Sequence, residues 1–158
     1  MRNLFITILT IVLCLSSILK AGAEEMKSTT WSAFGVSFKV PANISIEDDS
    51  EEGYILSNDN YYINVQMLNS EGMDRKAMKK EIKQMADEDQ LVEQTPVSIF
   101  DLAHFYGMQL QGKNAGEFYL YNYLIAKDES CGLFITVIYK EKEDVVPHDI
   151  IKSFILVD

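Results

Sequence analysis

Hydrophobic positions change their spacing twice along this chain, and the changes mark out its elements. In "GVSFKV" Val36, Phe38 and Val40 fall on one side while Ser37 and Lys39 fall on the other, a period of two that predicts a strand ended by Pro41. "GYILSNDNYYINVQML" predicts two more strands, 54 to 57 and 61 to 68, joined by a Ser57-Asn58-Asp59-Asn60 turn. From Asp74 to Glu88 the period lengthens. Met78, Ile82, Met85 and Ala86 recur at helical spacing, and Arg75, Lys76, Lys79, Lys80 and Lys83 lie around the rest of the cylinder. This is an amphipathic helix with one buried face. Its basic residues would suit docking of an acidic partner, although charges on an exposed helix face are ordinarily only solvated. Beyond Pro96 the chain returns to strands at roughly 97 to 112, 116 to 126 and 132 to 140, with hairpin connections in "GKNAG" and "KDESCG". A short helix from about Pro147 to Phe154 closes the pattern, with proline suited to its first turn.

The late strands say what must cover the sheet. In "EFYLYNYLIAK" one face carries Tyr119, Tyr121, Tyr123 and Ile125, and the other carries Phe118, Leu120 and Leu124; "LFITVIY" is apolar on both faces as well. Strands of that kind need cover on both sides. The expected fold class is therefore α+β, a mostly antiparallel β-sheet with helices packed on it. Tyrosine offers a large apolar body with a polar tip and is enriched at interfaces, so Tyr119, Tyr121 and Tyr123, beside Tyr61 or Tyr62, are the expected partner-binding residues if their row is exposed.

Residues 1–23 stand apart from this pattern. Arg2 is followed by an apolar run from Leu4 to Leu19 and by Ala21-Gly22-Ala23, the layout of a cleaved export signal. A retained anchor is the alternative, because the run of about 16 residues is only slightly short of the ~17 that span a bilayer; the small-residue site followed by charge favours cleavage. A lipidated Cys14 can also be read from "LTIVLC", but Leu13 is not the small residue such a site needs. The expectation is an exported protein, periplasmic or secreted, with no stable membrane span after cleavage and one domain over residues 24–158. Loss of Arg2 and Lys20 leaves 12 basic against 24 acidic residues. That balance repels phosphate backbones and anionic bilayers, so nucleic acid is excluded and a protein or envelope component is the expected partner.

Candidate chemistry is sparse. Asp101 and His104 stand three apart in "SIFDLAHFYGMQ"; in one continuous strand they point to opposite faces, with His104 packed among Phe100, Leu102, Tyr106 and Met108. A turn at Asp101-Leu102 or a bulge would allow them to meet. No G-x-S-x-G elbow accompanies them. Cys131, the one cysteine after residue 23, lacks a basic neighbour to activate it, so it reads as a packed thiol that retains the option of pairing between chains. His148 lies 44 positions beyond His104 with no ligand spacing for zinc. The best metal pattern is acidic: Asp48, Ser50, Glu52 and Asp59 occupy the first, third, fifth and last positions of a calcium-loop pattern, with Gly53 at the sixth. Its flanks read as strands, and an acidic surface loop explains the same residues. No catalytic residue and no cofactor are expected.

Taken together, "WSAFGVSFKVPANISIED", the 54–68 hairpin, the mid-chain helix, "GEFYLYNYLI", "LFITVIYK" and "DIIKSFIL" resemble the PsbP-like superfamily of α/β/α sandwiches, which includes DcrB-type bacterial envelope proteins. The resemblance is to a pattern of elements over most of the chain after residue 23. It implies a binding or accessory module and carries no functional residues with it; the favoured expectation is an exported non-catalytic binding or accessory domain of the bacterial cell envelope. The rival expectation is a small exported hydrolase or metal-dependent enzyme.

Overall fold

The computed structural model describes residues 24–68 and 74–157, so the expected export signal and Cys14 lie outside the described residues. Among the described residues, ten strands and two helices follow in the order β1 (Met26–Trp31), β2 (Val36–Pro41), β3 (Ser45–Asp49), β4 (Tyr54–Ser57), β5 (Tyr61–Leu68), α1 (Arg75–Glu88), β6 (Ser98–Asp101), β7 (Phe105–Asn114), β8 (Glu117–Ala126), β9 (Gly132–Tyr139), α2 (Val146–Lys152) and β10 (Ile155–Leu156). A seven-stranded sheet runs β3-β4-β5-β9-β8-β7-β6, and a three-stranded sheet runs β1-β2-β10. Every strand pairing is antiparallel. The protein is α+β, as the alternation of periods requires.

The two faces of the large sheet are buried by different means. On one, Leu56, Ile63, Val65, Leu120, Leu124, Ile135 and Val137 meet the small sheet and α2, which contribute Trp31, Val36, Phe38, Val40, Ile150, Ile151 and Phe154. Phe38 and Phe154 stack with centroids 4.2 Å apart, and Trp31 donates its indole N–H to the Ser50 carbonyl at 2.7 Å. The second face is covered by α1, which lays Met78, Ile82 and Ala86 on Met108, Leu110, Tyr121, Tyr123 and Phe134. Asp74 caps α1 by accepting the Ala77 N–H at 2.7 Å, which satisfies one of the free donors of the first turn.

Three strands were not anticipated from the sequence: β1, β3 and β10. The small sheet that β1 and β10 build with β2 takes the covering role expected of helices and loops on that face. The stretch from 97 to 112 is also not one strand. It breaks after Asp101, and β6 folds back on β7 with Asp101 opposite Tyr106. The turn closes through the Leu102 N–H to the Phe105 carbonyl at 2.9 Å. Gly107 is required on β7 because the Phe100 ring of β6 lies over its α-carbon; a Cβ there would meet that ring at 2.3 Å.

Candidate functional site

Helix α1 covers β7 and β8 but leaves β6, the sheet's last strand, beside it as a shelf. The segment before β6 is held in place on β7: Val92 bridges Lys113, and the Thr95 N–H donates to the Gln111 carbonyl at 2.8 Å while its hydroxyl accepts the Gln111 N–H at 3.0 Å. Two hollows result along the same flank of the helix. One, of about 500 Å³, has Lys76, Lys79, Lys80 and Lys83 as one wall and Thr95, Pro96 and Val97 as the other. The second, of about 110 Å³, lies at the start of α1 among Arg75, Met78, Ile99, Tyr106, Met108 and Ile125. Its rim is unusually apolar for a surface, since Ile99 is 62% exposed and Tyr106 42% exposed.

The cations follow from helix geometry. Positions 76, 79, 80 and 83 repeat at three and four residues, so their side chains form one stripe about 10 Å long. Lys83 reaches Asp87 at 2.6 Å; among the described residues, no ion pair engages Lys76, Lys79 or Lys80. The guanidinium of Arg75 and the ammonium of Lys127 lie 5.2 and 5.1 Å from the centroid of the Tyr106 ring, a cation–π arrangement that holds this exposed phenol at the mouth of the smaller hollow. A cationic wall over an apolar floor can hold an anionic, partly apolar ligand. It contains no nucleophile with a base beside it.

The residues expected to act do not assemble there. Tyr121 and Tyr123 are 2% and 0% exposed, because α1 lies on them, and Tyr119 is half-buried. Tyr121 donates to the Asp89 carboxylate at the end of α1, and Tyr123 donates to the Met85 sulfur at 3.2 Å. Burial pushes the phenols of both upward, and the neighbouring carboxylates Asp89 and Glu81 add to it. The expected tyrosine docking row is thus the bed of the helix, and the exposed surface lies one strand further out.

The calcium pattern does not converge either. Asp48, Ser50 and Glu52 gather at the β3–β4 turn, where Ser50 donates to Asp48 at 3.3 Å and accepts the Glu52 N–H at 3.3 Å. Asp59 sits in the turn after β4, about 13 Å away along that four-residue strand. Its main-chain oxygen accepts from Lys140. A hairpin separates donors that a helix-flanked loop would wrap around one centre.

His104 is the clearest departure from expectation. It lies exposed in the β6–β7 turn, not on an apolar face, and its Nδ1 accepts the Leu156 N–H at 3.0 Å. Asp101 lies 3.8 Å from Lys127 instead. Cys131 is half-buried, which raises its thiol above the usual range, and burial lowers His148, assisted by Lys152. Sequence reasoning recognised the lysine spacing but missed Ile99 and Tyr106 as exposed residues, because no local signal distinguishes a shelf strand from a covered one.

Several solved structures share this fold. Mog1p, a Ran-binding protein of Saccharomyces cerevisiae, superposes with a TM-score of 0.61 at 10% identity over 86% of this chain and 97% of its own. A mutant form of protein Mog1 gives 0.60 at 10% identity over 85% and 97% of the two chains. A protein of Bacteroides thetaiotaomicron VPI-5482 gives 0.50 at 12% identity, covering 84% of this chain and 48% of that one. No curated protein matches the chain. The PsbP-like and DcrB-like resemblance of the element pattern is corrected by these matches: the solved structures of similar fold include Mog1 proteins, and the family model that matches is a different one. The sequence model described as dihydro-orotase-like matches residues 36–144, from the start of β2 to the turn before α2, and the chain belongs to that family.

Proposed function

We propose that this chain is an exported, non-catalytic binding domain of the bacterial cell envelope that docks a protein partner on the flank of α1 beside β6. The observation that carries the reading is the pairing, along one helix, of a lysine wall with an exposed apolar floor in a chain whose net charge is −10. Charge complementarity speeds encounter and apolar anchors hold the complex. The Ran-binding description of Mog1p supports the reading as an instance of this fold used for protein binding. Export is supported by the arrangement of residues 1–23.

The rival, a small exported hydrolase or metal-dependent enzyme, draws support from the family's description. Hydrolysis of a ring amide needs an activated water and groups that stabilise developing charge on one centre. Among the described residues, His, Cys, Asp and Glu form no group of three or more that could hold a metal ion. The described residues thus offer no metal site for that chemistry.

Site-specific photo-crosslinking in cells separates the two readings. A photoreactive residue at position 97 should capture a protein, whereas the same residue at position 45, on the far edge strand β3, should not. Equal capture at both positions, or none at 97, would overturn the docking site. N-terminal sequencing of the purified protein should begin at Glu24, and an intact Met1 or an acylated Cys14 would overturn the export reading.

A further inference from the structure

We infer that the partner presents an acidic segment bearing an apolar side chain, its carboxylates against Lys76, Lys79 and Lys80 and its apolar group in the hollow between Met78, Ile99 and Tyr106. This rests on the docking function proposed above and names the chemistry of the occupant.

The stripe does not serve the helix that bears it. Lys76 with Lys80, and Lys79 with Lys83, are like charges at four-residue spacing, each unfavourable by about 0.2–0.5 kcal/mol in a helix. Acceptors at three or four positions further on would relieve them, yet among the described residues only Lys83 finds one, in Asp87. The cations are also concentrated: Arg75 and four lysines of α1 make up five of the twelve basic residues beyond residue 23. An acidic ligand small enough to stay within about 10 Å feels this patch before the surrounding carboxylates, because screening confines such fields to roughly a Debye length of 8 Å. A long polyanion feels the whole molecule and is repelled. That argument favours a short acidic stretch of polypeptide over a nucleic acid duplex or an anionic bilayer.

The apolar half of the site selects further. The smaller hollow, about 110 Å³, has room for one branched aliphatic side chain, and its lining of Met78, Ile99 and Ile125 offers such a group burial without a polar partner to displace. Arg75 stands at its rim against Tyr106, where it would meet a carboxylate beside the anchored side chain. A ligand of charge alone would leave this hollow empty, and one of apolar groups alone would leave the lysines unmatched.

Fluorescence anisotropy with the purified chain tests the proposal using three labelled five-residue peptides, short enough to stay close to the patch. One is rich in Asp and Glu with a central leucine; the second has that leucine replaced by serine; the third has its acidic residues replaced by glutamine. The first should bind, with affinity falling steeply between 50 and 300 mM salt. The serine and glutamine peptides should bind at least about tenfold more weakly, the scale of ~1.4 kcal/mol of lost contact. Combined Lys76→Gln, Lys79→Gln and Lys80→Gln should weaken the acidic peptide by about tenfold, since rim charges are each worth a few tenths to 1 kcal/mol. Ile99→Ser should do so without altering the salt dependence. These positions are exposed, and circular dichroism would verify that the variants fold. Equal binding of the three peptides, no loss in the lysine variant, or binding only to vesicles containing phosphatidylserine would overturn the inference. If position 97 still crosslinks a protein in cells after such a result, the docking function stands and only the acidic occupant is lost.

Discussion

The main-chain N–H of Leu156 donates to Nδ1 of His104 at 3.0 Å, tying the last strand to the β6–β7 turn across 52 positions of chain. The Lys127 N–H donates to the carbonyl of the same residue at 2.9 Å, so His104 joins two segments that the sequence keeps far apart. Its role is a structural tie.

His104→Ala should therefore leave a folded protein destabilised by about 1 kcal/mol or less, the ordinary net worth of one hydrogen bond. Amide hydrogen exchange should quicken at Leu156 and Ile155 and hold steady in β8 and β9. A folded variant that loses its cellular function entirely would point to chemistry at His104 and contradict the binding reading.

Ile82 is fully buried at the centre of the contact between α1 and the sheet. Ile82→Ala should cost about 2–5 kcal/mol through lost burial and the cavity left behind. Lys80→Ala, at an exposed position on the same helix, should stay within about 0.5 kcal/mol. Chemical denaturation compares them, and similar losses would show that α1 is not anchored through its apolar face.

Alkaline pH should destabilise the fold. Burial raises the phenol of Tyr139 to about 12 and pushes those of Tyr54, Tyr61, Tyr121 and Tyr123 upward too, with Asp144 reinforcing Tyr61 and Asp89 reinforcing Tyr121. Unfolded tyrosines release their protons near 10, so above that pH the folded state binds more protons than the unfolded one. Stability is fully present below about pH 10 and declines as pH rises toward 12. Absorbance at 295 nm should show these phenols ionising together with loss of circular dichroism. Ionisation of all eight tyrosines near pH 10 with the fold intact would contradict their burial.

Tyr139 also has a hydroxyl that is buried without a partner among the described residues. Tyr139→Phe removes a polar atom whose unmet desolvation is unfavourable by ~1–3 kcal/mol, so its thermal midpoint should hold or rise by a few degrees. A clear fall would reveal a bond to that hydroxyl.

Calcium at millimolar concentration should leave the thermal midpoint where chelator leaves it, because Asp59 lies at the opposite end of β4 from Asp48, Ser50 and Glu52. A ligand that favours the native state raises the midpoint. A rise of several degrees would mean that the two turns come together around an ion.

Local periodicity by itself determined β2, β4, β5 and α1, because an amphipathic element that packs on a core must repeat its apolar residues at the period of its own backbone. It also determined that β8 and β9 need cover on both faces. It did not disclose β1, β3 or β10. "MKSTTW" and "SIEDD" are polar on most positions, and their place as strands comes from hydrogen bonds to neighbours. β10 is two residues long and exists through its pairing with Ser37 and Val36. The break at Asp101 was legible only as an alternative to one continuous strand, because the turn carries no glycine or proline and the apolar alternation runs across it without a local stop signal. The candidate site shows the same division. The lysine stripe is legible from spacing alone, since four positions at three and four residues must share a helix flank. Which tyrosines that helix buries, and that Val97 and Ile99 form the floor beside it, depended on where α1 crosses the sheet. That crossing is decided by packing between residues distant in the chain, and no local pattern records it.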